Sequence, residues 1–231
     1  MYYGIDPLYW ILMLPVLFLS MIASLNVKSA IDKYSKIKSQ TGYKAYEIAR
    51  VILDQNGLSD VNVEVSKGFL SDHYDPYKKV VRLSPDVYNS TSIAAIGIAA
   101  HETGHAIQHA ENYKPLVLRN LIAPTASIGS NFSWIIIVLG FIIGWMGLVK
   151  FGIILFSIVV LFQLITLPVE FNASKRAQQI LYENNIVDLV ELKGIKKVLQ
   201  AAAMTYVAAA ASAIMTLLYF LIRAGFLNRR D

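Results

Sequence analysis

The sequence predicts an α-helical membrane protein, with about four transmembrane helices and a small water-facing α+β domain. Three observations predict it. Long uncharged apolar runs recur along the chain; short segments between residues 61 and 83 carry the alternation and branched side chains of strands; and His101-Glu102-Thr103-Gly104-His105 sits inside an apolar helical run. Composition agrees, since 55% of the 231 residues are hydrophobic, only 16% are charged, and the mean hydropathy is +0.49. Cysteine is absent, which excludes a disulfide framework, a thiolate metal cluster and a cysteine nucleophile. The net charge of +5 does not point to nucleic acid, because the basic residues flank apolar spans and mark juxtamembrane positions.

Leu8 to Leu25 is an uncharged run of about 18 residues, the minimum for a spanning helix. Only Asp6 precedes it, whereas a signal peptide opens on positive charge, so residues 1–26 read as a permanent anchor. Lys28, Lys33, Lys36 and Lys38 follow it, which sets the N-terminus outside and brings the chain out in the cytoplasm. Residues 27–130 form the cytoplasmic region. Ala45 to Leu53 has helical spacing and ends at Asn56-Gly57. Val61 to Val65 alternates as a strand, Lys79 to Leu83 is a second, and Ser71-Asp72-His73-Tyr74-Asp75-Pro76 reads as a turn between them. The two strands are expected to form a hairpin or part of a small sheet. Ser84-Pro85-Asp86 starts a helical turn, and Asn89 to Ser92 cap the motif helix, roughly Ser92 to Ala110.

Residues 131–169 carry one charge, Lys150. As a single helix they would span about 60 Å, twice the hydrocarbon thickness. They are therefore expected to be a hairpin turning near Gly147 to Gly152, with a first span that can start as early as Leu116 and kink at Pro124. An even number of crossings returns the chain to the side it left, which puts Glu170 on the same side as His101. Residues 170–200 form a polar cytoplasmic helix patterned through Ala173, Ala177, Ile180 and Leu181. Residues 201–231 comprise a transmembrane or membrane-associated helix and a tail. A full crossing there would put Arg223, Arg229 and Arg230 outside, against the positive-inside rule, so a helix packed on the water-facing domain is the alternative.

His101 and His105 lie one helical turn apart, about 6 Å along the axis, and can share one zinc ion, with Glu102 beside them. The helix is apolar nearly all round before the motif, and such a helix is buried. Polar groups inside it need partners, which a metal supplies economically; histidines satisfied by hydrogen bonds alone are the alternative. Three residues compete to be the third ligand. His109 is on the same helix but about 12 Å from His101, too far to share a tetrahedral ion with both other histidines. His73 lies in a loop. Glu170 opens a helix on the right side of the membrane, although a carboxylate there can simply serve the helix dipole. Ser174, on the same face as Glu170, is placed to orient a ligand histidine. The strand Val80, Val81, Arg82 and Leu83 could bind an extended peptide by edge pairing, or be an ordinary paired strand.

Taken together, the anchor, Leu70-Ser71-Asp72-His73-Tyr74-Asp75-Pro76, Ala100-His101-Glu102-Thr103-Gly104-His105-Ala106, the paired spans and Glu170-Phe171-Asn172-Ala173-Ser174 resemble, over essentially the full length, the YugP-type family of bacterial integral-membrane zinc metallopeptidases. The membrane gluzincins are more distant relatives. The resemblance implies a zincin-like (gluzincin) catalytic domain in the bacterial plasma membrane, one Zn2+ per chain, and Glu170 as the third ligand beside His101 and His105. Many relatives carry Asp four residues after that glutamate, bonded to a ligand histidine, where this chain has Ser174. The expected activity is peptide-bond hydrolysis at the cytoplasmic membrane surface, with zinc lowering the pKa of its water towards about 7 and Glu102 as general base. His73, Tyr74 and Arg176 are the candidate oxyanion donors. Expected partners are membrane lipid, a peptide or membrane-protein substrate and a regulatory membrane protein. The rival is a non-catalytic membrane scaffold or adaptor whose structural zinc would need four protein ligands, His73 among them.

Overall fold

A computed structural model describes residues 6–68 and 71–226; Leu70, Arg229 and Arg230 lie outside the described residues. In chain order the elements are α1 (Pro7–Tyr34), α2 (Ala45–Gln55), β1 (Asn62–Val65), β2 (His73–Asp75), β3 (Val80–Leu83), α3 (Pro85–Tyr88), α4 (Ile93–Ala110), α5 (Lys114–Ile143), α6 (Met146–Glu183) and α7 (Leu189–Arg223). The chain divides into two compact units. One comprises Met1–Ala23, Leu118–Leu167 and Thr205–Asp231; the other comprises Ser24–Val117 and Pro168–Met204. The helices α1, α5, α6 and α7 are each long and apolar enough to cross a membrane.

The first unit holds the apolar stretches of those four helices. Its core joins Ile137 of α5, Val149 and Ile153 of α6 and Phe220 of α7, while large apolar side chains such as Ile11, Leu121 and Ile142 are exposed, as suits a hydrocarbon solvent. The turn between α5 and α6 falls at Gly144, which has φ +77°, rather than at the expected Gly147 to Gly152. Gly152 is needed for close packing instead: a Cβ there would stand 2.6 Å from Ile137 Cγ1, and one on Gly140 would stand 2.7 Å from Val149 Cγ2.

The boundary expected at residues 169–170 is absent, because α6 does not stop at Pro168. It runs on to Glu183, and α7 already starts at Leu189, so the expected helix 170–200 is divided between the end of α6 and the start of α7. Glu170 lies inside the helix, where an N-terminal dipole role does not apply.

In the second unit α4 is the central element. Ser92 caps it, its Oγ accepting from the Ala95 N–H at 3.2 Å. One face (Ala95, Ala99, Ala106) packs with Ala49 and Leu53 of α2 and with Val81 and Leu83 of β3. The other (Ile96, Ala100, Ile107) packs with Ala177 and Leu181 of α6 and Ile195 of α7. This double burial explains why the helix is apolar nearly all round.

The sheet has three strands in the order β1-β3-β2, with β1 parallel and β2 antiparallel to β3. The expected turn Ser71 to Pro76 thus contains a strand, and the two expected strands are part of a small sheet, as a parallel pair and not a hairpin. Edge binding at Val80, Val81, Arg82 and Leu83 is overturned as well. β3 is the middle strand, Val80, Val81 and Leu83 are buried, and Arg82 is ion-paired with Glu64 at 3.4 Å and Asp75 at 3.0 Å.

Candidate metal centre

The centre is built where α4 meets α6. Gly104 sets their separation, since a Cβ on it would stand 2.9 Å from the Ala173 carbonyl oxygen. At that distance the i, i+4 pair His101 and His105 on α4 meets Glu170 on α6. Glu170 Oε2 lies 3.2 Å from His101 Nε2 and 3.6 Å from His105 Nε2. One ligand atom from each of the three residues can be drawn within 4.8 Å of the others. His105 and Glu170 are buried, and His101 is partly so.

The far nitrogens of both rings are tied down. Ser174 Oγ is 3.2 Å from His101 Nδ1, and Gln108 Oε1 is 3.0 Å from His105 Nδ1. Gln108 is fully buried, and its amide nitrogen donates to the Val169 carbonyl and to Asn172 Oδ1, both at 2.9 Å. With both amide hydrogens engaged, its oxygen can only accept, so His105 carries its hydrogen on Nδ1 and turns the Nε2 lone pair inward. Ser174 can accept from His101 in the same sense. The chain of bonds continues outward: Arg176 donates from Nε to Asn172 Oδ1 at 2.8 Å and pairs through Nη2 with Glu111 at 2.7 Å.

Two inward lone pairs and a buried carboxylate oxygen are a donor set suited to zinc, and three protein donors is the number that a catalytic zinc takes. Glu102 follows His101 on the buried α4. Burial pushes its carboxyl up from the ordinary range, against the opposing pull of His101 and His105. For His105, burial pulls the imidazole down, but hydrogen bonding and charge from Glu170 prevail and leave it raised.

The other candidates are not members of the ligand group. His73 is exposed, its Nδ1 2.8 Å from the Ser71 carbonyl and its Nε2 3.5 Å from Arg82. Tyr74, on β2, bonds through its hydroxyl to His109 Nδ1 at 2.8 Å. Burial, helped by Asp60 and Asp75, pushes its phenol up to about 12. Arg176 is occupied by Asn172 and Glu111. Sequence reasoning did not single out Gln108, Asn172 or Gly104. The available signal was Gln108 itself, an amide three residues beyond His105 in a helix that is otherwise buried.

The chain matches, over residues 9–225, a family described as "Putative neutral zinc metallopeptidase". It is 50% identical over 224 residues to a Bacillus subtilis (strain 168) protein named "Putative membrane protease YugP", covering 97% of this chain and 99% of that protein. No solved structure matches the chain.

Proposed function

The chain belongs to the putative neutral zinc metallopeptidase family, and from that premise we propose that it is a membrane-embedded, gluzincin-like endopeptidase that cleaves peptide bonds at the cytoplasmic membrane surface. The observation that carries this is the convergence of His101 Nε2, His105 Nε2 and Glu170 Oε2 beside buried Glu102. Those three residues would hold one Zn2+. Bound zinc would supply Lewis acidity, polarising the scissile carbonyl and easing deprotonation of a water.

The remaining steps belong to the chain's own residues. Gln108 holds the His105 ring in the tautomer that points Nε2 inward, and Ser174 can accept from His101 Nδ1 in the same sense. The Glu102 carboxylate takes the proton from the attacking water and returns it to the leaving amine nitrogen. Of the candidate oxyanion donors, His73 is exposed, Arg176 is engaged by Asn172 and Glu111, and Tyr74, which keeps its proton with a pKa of about 12, would have to give up its bond to His109 to donate. Because β3 is central, the peptide pairs with outer strand β2, which packs on α4. The cytoplasmic orientation rests on Lys28, Lys33, Lys36 and Lys38 after the first apolar run. A scaffold with structural zinc would need a fourth protein donor, and among the described residues the group has three.

Glu102→Gln tests the reading. The variant should bind zinc as the unaltered protein does and lose about 100-fold or more in cleavage of an unfolded peptide substrate. Retained cleavage would overturn it.

A further inference from the structure

A groove of about 370 Å³ in the second unit runs beside the end of α1 and the first half of α7, and its lining includes Ser29, Lys33, Tyr34, Lys197, Gln200 and Met204. The two helices approach closely at Tyr34, which lines the groove: a Cβ on Gly194 would stand 2.8 Å from Tyr34 Cε1. Lys33 neighbours that tyrosine, its ammonium 5.5 Å from the ring centroid. Lys197 lies one turn beyond the glycine. An adjoining hollow of about 550 Å³ shares Ser29 and Lys33 and adds Leu25, Lys28, Lys36 and one carboxylate, Asp32. Among the described residues none of these four lysines forms an ion pair.

The position of the groove along the two helices is as informative as its charge. The apolar run of α1 ends at Leu25, and that of α7 begins at Ala201. On both helices, therefore, the lining changes from apolar side chains to lysines within one or two turns. The groove and the adjoining hollow together are amphipathic, with the ammonium groups toward one end and Leu25, Ala201 and Met204, beside the Asn26 amide, toward the other. A nucleic acid or a free phosphate would use only the polar end. Its volume falls within the range of small-ligand sites, about 300–1,000 Å³.

We propose that this groove and the hollow adjoining it bind an anionic phospholipid, its phosphodiester held by Lys33 and Lys197 and its acyl chain laid along Met204 and, in the hollow, Leu25. Lysines beside a membrane attract anionic headgroups, and a groove between helices turns that general attraction into a site. The site is separate from the metal centre and does not depend on the proposed peptidase activity.

Native mass spectrometry of the full chain in neutral detergent tests it, with phosphatidylglycerol, phosphatidylcholine and inorganic phosphate as separate probes. Phosphatidylglycerol should remain bound in preference to phosphatidylcholine. Lys33→Gln/Lys197→Gln should lower its retention on the order of tenfold. Lys67→Gln/Lys78→Gln, an equal charge change at exposed lysines outside the groove, should not. Lys33→Arg/Lys197→Arg should keep the lipid. Equal loss in both Gln pairs, loss in the Arg pair, indifference between the two lipids, or displacement of the lipid by inorganic phosphate would each overturn the proposal.

Discussion

His105 donates its Nδ1 hydrogen to Gln108 Oε1 across 3.0 Å, and this bond decides which nitrogen of the ring faces Glu170. Gln108 cannot reverse its amide, because Val169 and Asn172 both accept from its nitrogen. A neutral, fully buried side chain therefore fixes the tautomer of a proposed ligand.

Gln108→Leu, similar in bulk but unable to accept, should weaken zinc binding about 10–100-fold. It should also cost about 1–3 kcal/mol in stability, because the His105 Nδ1–H loses its buried acceptor. Competition with a chelator measures the affinity. An unchanged affinity would mean that His105 is held by packing alone.

Glu170→Ala should remove most of the bound metal, and full occupancy by metal analysis would place the third ligand elsewhere. The same variant gives a thermal test. Free zinc at about 100 times its dissociation constant adds about 2.7 kcal/mol to the stability of a protein that binds it only when folded. Chelation should therefore lower the melting temperature of the unaltered protein and leave that of Glu170→Ala nearly still. Equal shifts in the two would contradict the assignment.

Glu111 gives a prediction in pH. The Arg176 guanidinium holds its carboxyl below the ordinary value of 4.5. The pair's contribution to stability is thus fully present above pH 4.5 and is lost as pH falls through the lower folded value. Glu111 is about half exposed, at 54%, so the contribution is only about 0.2–1 kcal/mol. Glu111→Gln should melt slightly below the unaltered protein near neutrality and converge with it in acid. A gap that widens in acid would refute the pair's role.

The sequence exposed what depends on local period and on length. The i, i+4 spacing put His101 and His105 on one face, and the apolar runs announced four membrane-length helices. Ser174 was legible for the same reason, four residues from Glu170 on one helical face. Less visible were features created by contacts between distant segments. β2 is three residues long and exists because β3 pairs with it, so His73 to Asp75 resembled a turn. Gly147 and Gly152 suggested a break between spans, yet Gly152 packs against Ile137 while Gly144 makes the turn. Gln108 became meaningful only once α6 supplied Val169 and Asn172 as its acceptors.

Gly104 occupies what the His-Glu-x-x-His pattern writes as a wildcard, yet in this protein the position is not free. A single methyl group there would meet the Ala173 carbonyl oxygen at 2.9 Å and drive α6 outward, carrying Glu170 with it. A residue that does no chemistry thus acts as the spacer for three that would. Transplanting only the two histidines and the glutamate onto another protein's helix would move both proposed ligands and the proposed base, but not the glycine clearance that admits the third donor. A designer copying this centre would have to copy the gap between the helices first.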